Sequence, residues 1–148
     1  MTTANHIITA GVISVAVKQP VLVLPLALAS HYIIDAIPHF GFDKDGFGVA
    51  LKHKITYLEL ALDSAAIIYL IFLFRNQPVL IYVSAFISIS PDFYWLYRYF
   101  GFERYGRKPP GGRLTRFHEW IQWLQRPWGL GIEVVYFGLA LILFKTIT

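Results

Sequence analysis

Apolar residues run along this chain in five long stretches, each closed by a short cluster of proline, glycine or charge. Residues 2–17 are apolar apart from Asn5, His6, Thr9 and Ser14, and Lys18-Gln19-Pro20 then reads as a tight turn between helices. Residues 21–37 stay apolar until Ser30, where His31 and Asp35 enter, and Pro38, Gly41, Gly46 and Gly48 mark a loop. A third apolar helix is expected over 55–74, closed by Arg75-Asn76-Gln77-Pro78, and a fourth over 79–97, interrupted by Ser90-Pro91-Asp92. Proline inside a span is tolerated where neighbours satisfy the freed carbonyls. Residues 98–112 are basic and glycine-rich and belong outside the hydrocarbon. Residues 114–125 read as an amphipathic segment whose Trp120, Trp123 and Leu124 suit the membrane interface, and 128–144 form the last apolar helix. About 20 apolar residues cross a bilayer. The pattern therefore predicts an all-α, polytopic membrane helix bundle of about five spans plus a short interfacial amphipathic helix, with residues 1–148 as a single integral membrane domain.

Composition points the same way. Of 148 residues, 56% are hydrophobic, 17% aromatic and 15% charged, and mean hydropathy is +0.53; a soluble domain is about 45–50% apolar and about 25% charged. A net charge of +4 is too small for a nucleic-acid-binding module, so membrane lipids rather than nucleic acid are the expected partners. Cysteine is absent, which removes disulfides, thiol nucleophiles and cysteine metal sites together. Any metal must be held by histidine and carboxylate. The first six residues carry no Lys or Arg, so the basic region of a cleavable signal peptide is missing and the N-terminus is expected in the mature protein. With five crossings, ten of the 13 Lys and Arg residues fall on the N-terminal side. The positive-inside rule then places the N-terminus and both long loops in the cytoplasm, with an inner (plasma) membrane as the expected location.

The nine acids and five histidines all fall on that side or in the adjoining half of a span. A carboxylate at the centre of a span costs about 2.5–3.5 kcal/mol. Asp35, Glu59, Asp63, Asp92 and Glu133 together could thus cost up to about 10–17 kcal/mol, comparable to the roughly 5–15 kcal/mol of a whole fold. Basic side chains are missing from the spans, so buried ion pairing is a poor account, and a bound cation, protonation or a water-filled cavity remains. A divalent cation suits the residue types, because imidazole and carboxylate are ligands for zinc and also for manganese. His31 and Asp35, four residues apart, share a helix face about 6 Å apart along the axis. His39 continues that row, and Glu59 and Asp63 repeat the spacing on the third span. With His6 and Asp92 they match in logic the carboxylate and histidine clusters of four-helix metal proteins. Each residue also has a plainer reading: His6 as a helix–helix hydrogen-bond partner, Asp92 as an N-cap, Glu133 as a protonated core acid. Asp43 and Asp45 carry only a fragment of a calcium loop.

The strings NHIITAG (5–11), SHYIIDAIPH (30–39) and SPD (90–92) resemble the bacterial membrane-bound metal-dependent hydrolases, in which an early histidine on the first helix and a later Pro-Asp motif recur. The step from His31 to Asp35 also resembles a zinc-ligand step in zinc-dependent phospholipase C. Asp92 is followed here by Phe93 and Tyr94, where the hydrolase pattern places a second acid. The resemblance implies His6, His31, Asp35 and Asp92 as metal ligands and metal-assisted hydrolysis as the activity. The leading expectation is therefore a hydrolase of phosphate esters, including lipid ones, at the cytoplasmic face. One or two divalent ions would be held by His6, His31, Asp35, Asp63 and Asp92, with His39 or His118 completing the shell. Glu59 and His118 are the expected catalytic groups, and Lys54, Arg113 and Arg116 the expected phosphate-binding ones. Two alternatives stand beside it: a proton or cation transporter built on intramembrane acids and histidines, and a scaffold whose metal is structural.

Overall fold

The computed structural model describes residues 1–42, 50–108 and 110–148; the expectations for Asp43, Lys44, Asp45, Gly46 and Gly48 lie outside them. Local chemistry at residues 18–20 sets the first helix pair. Helix α1 (Thr3–Val17) stops where Lys18 turns left-handed, with φ 62° and its N–H on the Ser14 carbonyl. Pro20 then opens α2 (Pro20–Asp35) in the first turn, where its missing N–H has no partner to lose. The chain continues with α3 (Lys54–Phe74), α4 (Val79–Ile89), a 3₁₀ turn (Ser90–Asp92), α5 (Phe93–Gly101) and a second 3₁₀ turn (Glu103–Tyr105). It ends with α6 (Arg113–Ile121), a third 3₁₀ turn (Gln122–Leu124) and α7 (Gly129–Ile147). The expected all-helical class is therefore found: every regular element among the described residues is a helix.

Three stretches are long and apolar enough to cross a membrane: Lys54–Phe74, Val79–Tyr105 and Gly129–Ile147. The other two apolar helices, α1 and α2, have 15 and 16 residues, or about 22–24 Å at ~1.5 Å per residue, against a hydrocarbon core of about 30 Å. What sets α1 apart is its place. It packs on α2, α3, α4 and α7 and buries Ala4, Ala10, Gly11 and Ser14 among them. Small residues let neighbouring helices approach where no solvent drives them together. A Cβ on Gly11 would stand 2.8 Å from the Phe74 ring. Ser14 and Ser84 share a hydrogen bond of 2.6 Å between α1 and α4, and Ile8, Leu70, Phe74, Ile81 and Phe144 form an apolar core around them. The outer faces of the bundle are as apolar as its core, with Phe72 on α3 and Leu139 and Ile142 on α7 exposed. Such faces suit lipid rather than water.

The amino end of α1 is the polar end of the bundle. Its free N–H groups are met by carboxylates from two neighbours: Ala4 N–H donates to Asp63 Oδ1 at 2.7 Å and Thr2 N–H to Glu133 Oε1 at 2.9 Å. Helix N-termini favour such anions. The turn after α2 is fixed on the same side, where the Arg126 N–H donates to the His39 carbonyl at 2.9 Å and His39 makes an isolated bridge with Gln125. Gly129 begins α7 directly against that turn. A Cβ there would lie 2.1 Å from the His39 carbonyl carbon, so only glycine fits.

Candidate metal centre

Because α1 and α2 are antiparallel across a tight turn and α4 runs beside both, His6 near the start of α1, Asp35 at the end of α2 and Asp92 beyond α4 meet at one end of the bundle. Helix α6 folds back under them and delivers His118. One atom each from His31, Asp35, Asp92 and His118 lies within 4.8 Å of the others, so this His/Asp group can hold a metal ion. Asp35 is the hub. Its Oδ2 is 2.9 Å from His118 Nε2, 3.1 Å from Gln122 Nε2 and 3.4 Å from His31 Nε2, while Oδ1 is 3.3 Å from His6 Nε2. Asp92 closes the other side, 3.7 Å from His31 Nε2 and 3.8 Å from His6 Nε2. Although Asp92 precedes α5, it makes no side-chain cap there; its carboxylate turns to the imidazoles instead.

The protons on the imidazoles decide what the cluster can do. His31 Nδ1 lies 2.7 Å from the Ser88 carbonyl, an acceptor, so the neutral ring carries its one proton there and Nε2 is left as a bare lone pair. That lone pair faces two carboxylates and His118 Nε2, which is 3.2 Å away. Electron pairs directed at anions repel unless a proton or a cation lies between them. A metal-ligating histidine makes the same use of its second nitrogen. His6 stacks on His31 with ring centroids 4.1 Å apart, and neither of its buried nitrogens makes a hydrogen bond of good geometry. The side chains of His6, His31 and Asp35 are 0% exposed and that of Asp92 is 29% exposed, so the cluster opens to its surroundings at Asp92.

A positive charge that side chains alone do not reveal also reaches this site: the Met1 amino group lies 2.6 Å from Asp35 Oδ1. Of the expected ligands, the structure thus brings together His6, His31, Asp35, Asp92 and His118. It does not bring in Asp63, which caps α1, or Glu59, whose electrostatic neighbours are Asp63 and Glu133. His39 is buried in the turn after α2, with Nδ1 on the Ile37 carbonyl at 2.7 Å and Nε2 without a partner. Burial first, and the Met1 ammonium second, lower its pKa to about 4, so it is neutral at pH 7. Lys54, Arg113 and Arg116 are exposed and make no contact with the cluster. Two contributors were not foreseen from the sequence: Gln122, whose Nε2 reaches both Asp35 and His118 Nε2, the latter at 3.1 Å, and the Ser88 carbonyl. Gln122 follows His118 by four residues, a spacing that could have pointed to it.

No family model, curated protein or solved structure matches this chain.

Proposed function

We propose that the chain is a membrane-embedded, divalent-metal-dependent hydrolase of phosphate esters, including those of lipids, working at the cytoplasmic face of a bacterial plasma membrane, with α1 and α2 completing five spans. The observation that carries this reading is the His31 ring, held by Ser88 so that a bare Nε2 faces Asp35, Asp92 and His118. The proposed ligands are His31, Asp35, Asp92 and His118, with His6 stacked behind them. This mixed nitrogen and oxygen set suits zinc, and manganese next. When bound, such an ion supplies Lewis-acid activation of water and of a phosphoryl oxygen.

The chain's own residues have separate tasks. Ser88 fixes the His31 tautomer, and Gln122 donates to Asp35 and so fixes the orientation of its carboxylate. His118, delivered by α6, would complete the ligand set through Nε2, which lies 2.9 Å from Asp35 Oδ2. Asp92 stands at the opening, where an incoming ester first meets the cluster. An amphipathic substrate is favoured by location, because the opening lies beside helices whose outer faces are apolar. The likeness of residues 5–11, 30–39 and 90–92 to membrane-bound metal-dependent hydrolases agrees with this.

The test is turnover by protein in liposomes supplied with zinc or manganese, on a generic phosphomonoester and on phospholipid. Metal-dependent release of phosphate or headgroup, abolished by His31→Ala, supports the reading; no turnover of either class above the chelated control contradicts it. A second reading is favoured by the 2.6 Å contact of the Met1 ammonium with Asp35: that charge would neutralise the cluster without a metal, and the assembly would be structural. It requires metal-free protein in which His31→Ala leaves every activity unchanged.

A further inference from the structure

We infer that the outer face of α6 and the segment leading into it form a docking surface for anionic phospholipid headgroups. This surface is separate from the histidine cluster and does not depend on the cluster holding a metal.

Helix α6 has two faces of opposite chemistry. At ~100° per residue, Gln122 and Ile121 fall within about 60° of His118, whereas Arg116, Trp120 and Arg113 fall about 160–220° away. Burial follows that division from His118 onward: His118 is 5% and Ile121 7% exposed, but Trp120 is 71% exposed, whereas Leu114, on the His118 side one turn earlier, is itself exposed. The inward face serves the cluster. The outward face carries charge that pairs with no carboxylate among the described residues and an exposed indole stacked on Phe117 of the same helix.

The charge on that side is unbalanced. Arg104, Arg107, Lys108, Arg113 and Arg116 are all exposed within one stretch of chain. The acids in and beside that stretch are Glu103 and Glu119, and Arg98 binds both. Among the described residues no carboxylate pairs with the remaining five cations. Beside them Leu114 is 78% and Trp123 64% exposed. Exposed indoles set among arginines are the composition of an interfacial helix, whose rings sit at headgroup depth while the cations meet phosphate.

The site lies where headgroups are, since the segment follows directly from the apolar helix Val79–Tyr105. Charge complementarity therefore selects an anionic lipid over a zwitterionic one. A folded acidic protein or a nucleic acid would leave the exposed Leu114, Trp120 and Trp123 without an apolar partner. The assignment also gives Arg113 and Arg116 a phosphate ligand outside the cluster, which the helix geometry keeps them from reaching.

The experiment places the full chain in phosphatidylcholine liposomes containing a minor fraction of brominated phosphatidylglycerol or, in parallel, brominated phosphatidylcholine, and reads tryptophan quenching. Preferential quenching by the glycerol lipid is expected, weakened by salt and unaffected by millimolar inorganic phosphate. The variant R107Q/K108Q/R113Q/R116Q is expected to lose about fivefold in relative lipid association per charge removed, at least about 100-fold in all. K18Q/R75Q, at the other end of the bundle, is expected to keep the preference. Trp120→Phe/Trp123→Phe is expected to lose most of the quenching while retaining helix content. Equal quenching by the two lipids overturns the inference, as does a preference that survives the fourfold variant. Competition by inorganic phosphate would also overturn it, because the ligand would then be free phosphate. None of these readouts needs metal or turnover, so its failure and that of the proposed hydrolase are distinguishable.

Discussion

Two side chains that look interchangeable in sequence act differently once placed. His31 and His39 are both buried, and each donates from Nδ1 to a backbone carbonyl, yet only His31 turns its free nitrogen to carboxylates. For His39 the consequence is a pH effect. Its pKa is lowered to about 4 from about 6.5 in an unfolded chain, so the unfolded state binds the proton first. The stability it contributes is complete above about pH 6.5 and is lost as pH falls toward 4, on the order of 2 kcal/mol by pH 5. His39→Gln should therefore lose less stability than wild type between pH 7 and pH 5 in detergent melts; parallel losses would contradict the assignment. For Gln122 the expectation is a loss of metal affinity of about 10- to 100-fold in Gln122→Leu, the usual effect of removing a group that orients a ligand. Titration with cobalt or zinc checks it, and unchanged affinity would remove Gln122 from the site. His6, His31, Asp35 and Asp92 could be picked from sequence because each is an ionisable group in an apolar run. The Ser88 carbonyl could not, since a backbone oxygen carries no such signal, and Gln122 is marked only by its four-residue spacing from His118. Asp63, at the same spacing from Glu59 as Asp35 from His31, was drawn into the expected ligand set, but a contact with the amino end of a helix 59 positions away leaves no trace in local spacing.

At the scale of elements, α6 delivers His118 and is held chiefly by side chains. Arg98 on α5 binds Glu103 and, at 2.5 Å, Glu119 on α6, and its guanidinium lies 5.2 Å from the Trp95 ring centre; Trp95 in turn lies against His118. Partly exposed pairs of this kind contribute up to about 1 kcal/mol each. Arg98→Ala should speed amide hydrogen exchange on α6 by roughly 5- to 30-fold and leave exchange in α3 unchanged. Equal rates in variant and wild type would show that α6 is held by something else. The start of α7 is the opposite case, a backbone-on-backbone contact at Gly129 that side-chain adjustment cannot relieve. The third helix is legible almost to the residue, 55–74 being expected and Lys54–Phe74 found, while the last runs to Ile147, three residues beyond the expected Phe144. The interruption at Ser90-Pro91-Asp92 is also real, and becomes a 3₁₀ turn. What hydropathy could not show is that α1, no more apolar than its neighbours, is the helix they surround; that depends on small residues meeting partners far along the chain.

For the whole molecule, the polar cluster at one end and the apolar core at the other argue against a continuous route through the bundle. Between them the buried polar side chains of α1 reduce to Ser14, which is paired with Ser84, while Phe74 and Phe144 pack beyond. Ion flux into liposomes should accordingly stay at background, and metal-dependent flux would favour the transporter. A reporter-tag map should place residues 43–49 and 104–116 in the cytoplasm with Lys18 and Arg75 opposite; an extracytoplasmic 104–116 segment would contradict the five-span arrangement. The central claim, that a cation reconciles His31, Asp35, Asp92 and His118, is tested most directly by elemental analysis of detergent-purified protein prepared without chelators. The account predicts about one divalent transition-metal ion per chain, lost in His31→Ala and in Asp35→Ala while helix content is retained. Folded wild-type protein without stoichiometric metal would contradict it.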